Sequence, residues 1–369
     1  MNTGATPFYI ACKNGHIDIV KLFLNDNRVD INKANNDGWT PLYIACLQGH
    51  IEIVKLLLND KRIDVNQRKK NYYYSETPFY IACEYRHVEI VKLLLNDERV
   101  DINKAMNTGA TPFYIACKNG HIEIVKLLLN DERVDINKTS EQNWTPFFIA
   151  CKNGHIEIVR LLLSDERADL NNATPFYIAC EYRHVEIVKL LLNDERVDIN
   201  KTNWREQTPL WIACENGYIE IVKLLLNDER IDINKTSEQN WTPFFIARKN
   251  GHIEVVKLLL NDQRFEINKA EKSIGATPFY FACLQGYTDI VKLLLNDERV
   301  DVNQSTYDGE TPFSIACHFG NLEVVKLLLN DERVDINKSN NDGVTPFFIA
   351  CGNGHIEIVK LLLNDQRVD

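Results

Sequence analysis

A mainly all-α solenoid of stacked helix-turn-helix units, joined by short finger loops or hairpins, is the fold class this chain predicts. Three observations predict it. All eleven prolines follow a threonine, at Pro7, Pro41, Pro78, Pro112, Pro146, Pro175, Pro209, Pro243, Pro278, Pro312 and Pro346. Successive threonines of these pairs lie 34, 37, 34, 34, 29, 34, 34, 35, 34 and 34 residues apart. Within each step the apolar residues fall into two short helical runs, most often parted by a glycine. A period of this size marks a repeat array, in which no unit buries its apolar face alone and stacking supplies the core.

The unit that begins at Thr111 justifies each element in order. Thr111 is a good N-cap, and Pro112 suits the first helical turn, where its missing N–H costs nothing. Phe113 to Asn119 form a short helix that is apolar nearly all round, and Gly120 ends it because glycine accepts left-handed dihedrals without strain. His121 or Ile122 opens a second helix running to about Asn130, with Glu123 in the first turn where the helix dipole favours an anion. Glu123, Lys126 and Asn130 make one solvent stripe. Ile122, Ile124, Val125, Leu127, Leu128 and Leu129 cover the rest, a breadth that requires partners on more than one side. Val134 and Ile136 then alternate with Asp135 and Asn137, as one face of a short extended finger does.

The run Thr-Pro-Phe-Tyr-Ile-Ala-Cys-Lys-Asn-Gly-His-Ile-Glu-Ile-Val-Lys-Leu-Leu-Leu at 111–129 resembles the ankyrin repeat, whose signature is T-P-L-H-x-A at a 33-residue period. Eleven such matches span the chain as one array, with units at about 5–38, 39–75, 76–109, 110–143, 144–172, 173–206, 207–240, 241–275, 276–309, 310–343 and 344–369. Two departures stand out. The family's histidine after T-P-L is replaced by Tyr9, Tyr43, Tyr80, Tyr114, Phe148, Tyr177, Trp211, Phe245, Tyr280 and Phe348, with Ser314 the exception. The glycine after the second helix gives way to Asn-Asp or Ser-Asp and one extra residue, a substitute in a left-handed cap. Both changes are expected to alter the surface and spare the fold.

The resemblance implies binding of other proteins through a concave face lined by first helices and fingertips. Repeats differ mainly in the finger and in the two residues after the cysteine. Leu47, Tyr85, Tyr182, Leu284 and Phe319 at the second place are candidate apolar anchors, and neutral drift at exposed sites is the other reading. In the fingers, Trp39, Trp144, Trp204 and Trp241 either bind a partner or pack on a neighbouring finger. Tyr72, Tyr73 and Tyr74, beside Arg68-Lys69-Lys70 in the long third finger, form the most distinctive tip. Base stacking by that tip is the weaker reading on so acidic a chain.

Other chemistry finds little support. A net charge of -10 argues against a nucleic-acid binder, no stretch is apolar enough to insert in a membrane, and no secretory leader is visible. No small-molecule substrate, cofactor or metal is expected, and no enzyme motif occurs. Cys117 and His121 recur as a pair, but Arg248, Tyr218, Tyr287 and Asn321 break the pairing without breaking the repeat. Equivalent cysteines of stacked helices lie roughly 8–10 Å apart, beyond the ~7 Å that a disulfide spans. They read as half-buried thiols in a reducing, cytoplasmic setting. Asn143, Asn172 and Asn240 sit in glycosylation-type triplets by chance.

By resemblance again, Asn103, Asn137, Asn200, Asn234 and Asn337 fit the place where ankyrin asparagines are β-hydroxylated. Met1 to Ile17 recurs as Met106 to Ile122, which indicates block duplication, and the ends carry no polar capping unit, as in a fragment of a longer array. Two weak points are expected. Arg248 replaces a framework cysteine and is tolerable only if it reaches solvent. The short step before Thr174 leaves Asn171-Asn172-Ala173 as a stub that opens easily. A non-catalytic cytoplasmic scaffold or adaptor is the expected function. The alternatives are the regulatory segment of a larger enzyme or channel, and a passive spacer.

Overall fold

A computed structural model describes residues 3–69 and 75–368. It is helical throughout, with no strand among the described residues. Eleven first helices start at the Thr-Pro pairs: α1 (Pro7–Asn14), α3 (Pro41–Gln48), α5 (Pro78–Glu84), α7 (Pro112–Asn119), α9 (Pro146–Lys152), α11 (Pro175–Glu181), α13 (Pro209–Glu215), α15 (Pro243–Lys249), α17 (Pro278–Gln285), α19 (Pro312–His318) and α21 (Pro346–Gly352). Each is followed by an antiparallel-type partner across a tight turn: α2 (Ile17–Leu24), α4 (Ile51–Asn59), α6 (Val88–Leu95), α8 (Ile122–Leu129), α10 (Ile156–Leu163), α12 (Val185–Leu192), α14 (Ile219–Leu226), α16 (Ile253–Asn261), α18 (Thr288–Leu295), α20 (Leu322–Leu329) and α22 (Ile356–Leu363). Contacts group them into two compact bodies, Met1–Asp198 and Ile199–Asp369. Within each body, first helices pack on first helices and second on second.

The caps follow the sequence with one exception. The hydroxyl oxygen of Thr111 accepts the N–H of Tyr114 at 3.1 Å, and nine other threonines do the same for the residue three places on. Thr174 does not. It lies in the left-handed region (φ 60°, ψ 59°), as does Ala173 (φ 61°), and its hydroxyl turns back to the Ala173 carbonyl. A β-branched residue there, directly before proline, is strained. Because the finger is short, the chain must turn too sharply to form the cap. Amides of residues 173–178 are therefore expected to exchange faster than the equivalent amides of residues 110–115, read by hydrogen exchange on the intact chain. Equal protection would contradict the weak junction.

The core forms where units meet. Phe8, Phe79, Phe113, Phe147, Phe244, Phe279 and Phe313 are fully buried on the first helices, and Ile124, Val125 and Leu128 are buried on α8 as their counterparts are elsewhere. The solvent stripe of Glu123, Lys126 and Asn130 is exposed as expected. Ile122 is exposed with them, so the apolar cover is narrower than the sequence suggests. Nine cysteines are fully sheltered, not half-buried, and burial pushes their thiols up, Cys12 to about 12. Cys351 alone is exposed. The aromatics that replace the family's histidine are also mostly interior. Tyr43, Tyr80, Tyr114, Trp211 and Tyr280 are buried, so this departure changes the core more than the surface.

Two other expectations are corrected. The fingers are chains of tight turns, not extended segments. Ser140 N–H bonds the Trp144 carbonyl at 3.0 Å around a left-handed Asn143, and Glu141 N–H bonds the Thr108 carbonyl of the preceding finger at 2.8 Å. The asparagine after each second helix is right-handed (Asn96 φ -79°, ψ -8°; Asn130 φ -74°, ψ -8°). The extra residue makes a left-handed cap unnecessary. It lets the following aspartate fold back: Asp97 accepts Arg99 N–H at 3.0 Å and its guanidinium at 2.6 Å, while Arg99 Nη2 donates to the Leu58 carbonyl one unit back at 2.7 Å.

The aspartate–arginine half of this clasp recurs in every unit, and the backward bond recurs from Arg62, Arg133, Arg167, Arg264, Arg299, Arg333 and Arg367. The arginine hydrogen bond holds the aspartates below the usual carboxylate range, Asp26 and Asp365 to about 2. A depressed folded-state value stabilises above the unfolded value of about 3.9 and is lost as pH falls through the folded one. Burial shifts Glu84 and Glu181 the other way, a smaller opposing set. The urea midpoint is expected to hold between about pH 7 and pH 5 and to drop between about pH 4 and pH 2. A midpoint that rises on acidification would contradict the clasp.

Candidate partner-binding face

The residues after each framework cysteine sit at the C-terminal ends of the first helices, the ends that turn into the second helices. Here the backbone does the structural work. His50 Nε2 donates to the Lys13 carbonyl at 3.0 Å, His87 to Leu47 at 3.0 Å, His121 to Glu84 at 2.9 Å and His155 to Lys118 at 2.9 Å. The same pin recurs from His184, His252 and His355. In unit after unit the histidine reaches back to the preceding unit. Glycine eases both the dihedral and the close approach, since a Cβ on Gly120 (φ 76°) would lie 2.8 Å from the His155 ring, but Arg86 holds the equivalent place at φ 62° with the His121 pin intact. Because the acceptor is a main-chain oxygen, the side chain that follows each cysteine is free to vary. Leu47 and Leu284 are half-buried at this place, and the Leu284 carbonyl accepts from Asn321 Nδ2 at 3.0 Å.

The fingers are tied in the same manner. Asn103 Nδ2 donates to the Arg133 carbonyl at 2.7 Å, and its Oδ1 accepts Asp135 N–H at 2.8 Å. Asn137 repeats this to Arg167 and Asp169 at 2.7 and 2.8 Å. Asn234 and Asn337 donate likewise, to Arg264 and Arg367. The asparagines that match the hydroxylation position thus stitch one unit to the next. Neither the pins nor these stitches are evident from single-unit reasoning, although the repeated His and the Asp-x-Asn spacing carry the signal.

The side chains left over form the aromatic surface. Tyr85, Tyr182 and Phe319 are exposed, and Trp204 is 80% exposed with the Arg205 guanidinium 4.3 Å from its ring centre. Trp39, Trp144 and Trp241 are half-buried. They pack on the first helix of their own unit: Trp39 on Tyr43 at 5.9 Å, Trp144 on Phe148 at 5.3 Å and Trp241 on Phe245 at 5.0 Å between centroids. A cation caps each indole, with Lys69, Lys152 and Lys249 ammonium groups 5.5, 4.1 and 4.0 Å from the ring centres. Lys152 also lies 5.5 Å from the Tyr182 ring, so Trp144, Lys152 and Tyr182 form one cluster across two units. Tyr72, Tyr73 and Tyr74 lie outside the described residues.

Among the described residues, no group of three or more His, Cys, Asp or Glu side chains converges as metal ligands do. No described helix is long and apolar enough to cross a membrane.

With this geometry in place, the comparison with protein families is decisive. A family model for ankyrin repeats (three copies) matches residues 1–69, 67–140, 132–203, 163–237, 195–272 and 279–369. The chain belongs to the ankyrin-repeat family. No curated protein matches it. Ankyrin repeats are generally non-catalytic protein-interaction modules. In this ankyrin chain, the residue directly after each framework cysteine meets the stacking through its carbonyl, whereas the next place also contributes side chains where it is asparagine: Asn119, Asn153, Asn250 and Asn353 Nδ2 donate to the preceding unit.

Proposed function

We propose that this chain is an ankyrin array of eleven units that acts as a non-catalytic scaffold or adaptor, gripping other proteins with its first-helix ends and fingers. The observation that carries the reading is the cluster of Trp144, Lys152 and Tyr182. It sets an exposed aromatic ring and a half-buried indole around one cation, on a face whose backbone the stacking holds rigid. Exposed aromatics on a preorganised surface lose little entropy on binding and make effective anchors. Tyr85 and Phe319 occupy the same position in other units, and Trp204 projects from a finger. Free, buried cysteines fit a cytoplasmic setting, where thiols stay reduced. Affinity capture with the intact chain and with a Tyr85→Ala, Tyr182→Ala double variant tests the face. Loss of at least one specific partner from the variant is the expected result, at about 2 kcal/mol per anchor. Undiminished recovery of every partner would remove the face from consideration.

A further inference from the structure

Arg248 departs from the sequence expectation in an informative way. It stands where other units bury a cysteine, and it does not reach solvent. It is 3% exposed, and its Nε and Nη1 have no hydrogen-bond partner. The guanidinium is wedged between two rings, 4.9 Å from the centroid of Phe245 and 4.5 Å from that of Phe281. Burial lowers its pKa only to about 10, so it keeps its charge at neutral pH.

The junction around it is open. Tyr287 replaces the histidine that elsewhere pins one unit to the last, and a Cβ on Gly251 would meet nothing within 4 Å. Helices α15 and α17 pack less closely than the other neighbouring first helices of this body. A cavity of about 50 Å³ lies between them, lined by Phe244, Phe245, Arg248, Lys269, Pro278 and Phe281. One water needs only about 10–15 Å³ of such space. The cavity's one carboxylate is already committed: Glu271 accepts the N–H and hydroxyl of Ser273 and the N–H of Ile274. Lys269 is paired with Glu266 at 2.8 Å.

An unpaired buried cation facing a mostly apolar cavity defines its complement. We propose that the space between α15 and α17 binds a carboxylate on a short apolar stem, with Arg248 taking the carboxylate and the phenylalanine rings taking the stem. A guanidinium matches a planar, singly charged carboxylate in geometry and charge. A phosphate dianion would leave excess charge among the rings. The carboxylate is either that of a free acid or that of a polypeptide C-terminus. The site adjoins one part of the aromatic surface, because Phe245 also carries the Trp241 indole.

Titration calorimetry on the full chain tests the proposal. The probes are propionate, its neutral analogue 1-propanol, inorganic phosphate, and the tripeptide Ala-Ala-Ala as free acid and as amide, whose stems suit so small a space. Saturable binding of at least one of the two acids is expected, about tenfold or more tighter than its neutral analogue and than phosphate. The Arg248→Cys variant restores the framework residue, so it should fold, with unchanged helicity by circular dichroism, and bind that acid about tenfold or more weakly. Tighter binding of the tripeptide acid identifies a chain end as the ligand, and tighter binding of propionate identifies a free acid. Equal binding by the variant, equal binding of acid and neutral analogue, preference for phosphate, or no saturable binding of either acid would each overturn the proposal.

Discussion

Phe113→Ala is expected to lower the unfolding free energy by about 3–5 kcal/mol, near the top of the range for a single core substitution. The ring is 1% exposed on α7, which is enclosed by α5 on one side, α9 on the other and its own partner α8. Removing the ring forfeits the transfer energy of its apolar surface. It also leaves a void that three helices with fixed caps cannot close, because Thr111 and Gly120 hold both ends of α7. Urea denaturation checks the size of the effect. A loss below about 1 kcal/mol would mean that the site collapses freely and that neighbouring units do not jointly define it.

The second large effect runs in the opposite direction. Arg248→Cys is expected to stabilise the chain by about 1–3 kcal/mol in the absence of ligand, the cost of leaving buried polar groups without partners. Cysteine at this position fits without strain, as fully buried Cys214 and Cys283 in the flanking units show. The ring contacts to Phe245 and Phe281 offset part of that cost, since cation–π attraction grows when water is excluded. They supply no hydrogen-bond acceptor, and so the balance stays unfavourable. A rise in the urea midpoint at constant slope is the predicted reading. A fall would show that the guanidinium is satisfied in the folded chain. Such a stability defect, retained beside a cavity, is the usual signature of a site whose function competes with packing.

How much of this was legible in the sequence depended on whether a residue's role lay inside its own unit. The Thr-Pro caps, the turn at Gly120, the Glu123–Lys126–Asn130 stripe and the helix limits are local, and each was readable from spacing and residue type. The stub at Asn171-Asn172-Ala173 was readable from length alone. Its outcome, two successive left-handed residues and a lost cap at Thr174, depends on how the shortened chain must turn. The right-handed Asn96 and Asn130 were misread because the deciding group is the next residue, an aspartate that folds back on Arg99 or Arg133.

Contacts between units were the least legible. His121 bonds a carbonyl 37 residues back, and Asn103 a carbonyl 30 residues ahead. A main-chain acceptor leaves no trace in the identity of the partner residue, so no pairing of side chains betrays it. The same reasoning covers the candidate face. Tyr85, Tyr182 and Phe319 lie exposed at the variable place after the cysteine, and Trp204, open in the sequence between binding and packing, is exposed too. The stacking of Trp39, Trp144 and Trp241 on aromatics four residues later needed the finger's path, which only the folded chain supplies. Arg248 was placed at the surface because an isolated guanidinium is costly to bury. That cost is real, and the chain bears it.

The central claim is that every unit borrows its interior from the units beside it. Residue-resolved hydrogen exchange on the Phe113→Ala variant measures this most directly. Protection is predicted to fall most in residues 76–152, where α5, α7, α8 and α9 share the lost ring's surroundings, and to stay near the unaltered chain's level in residues 3–40. A uniform loss of protection across the whole Met1–Asp198 body, in step with the loss in global stability, would show a single cooperative core and contradict the account.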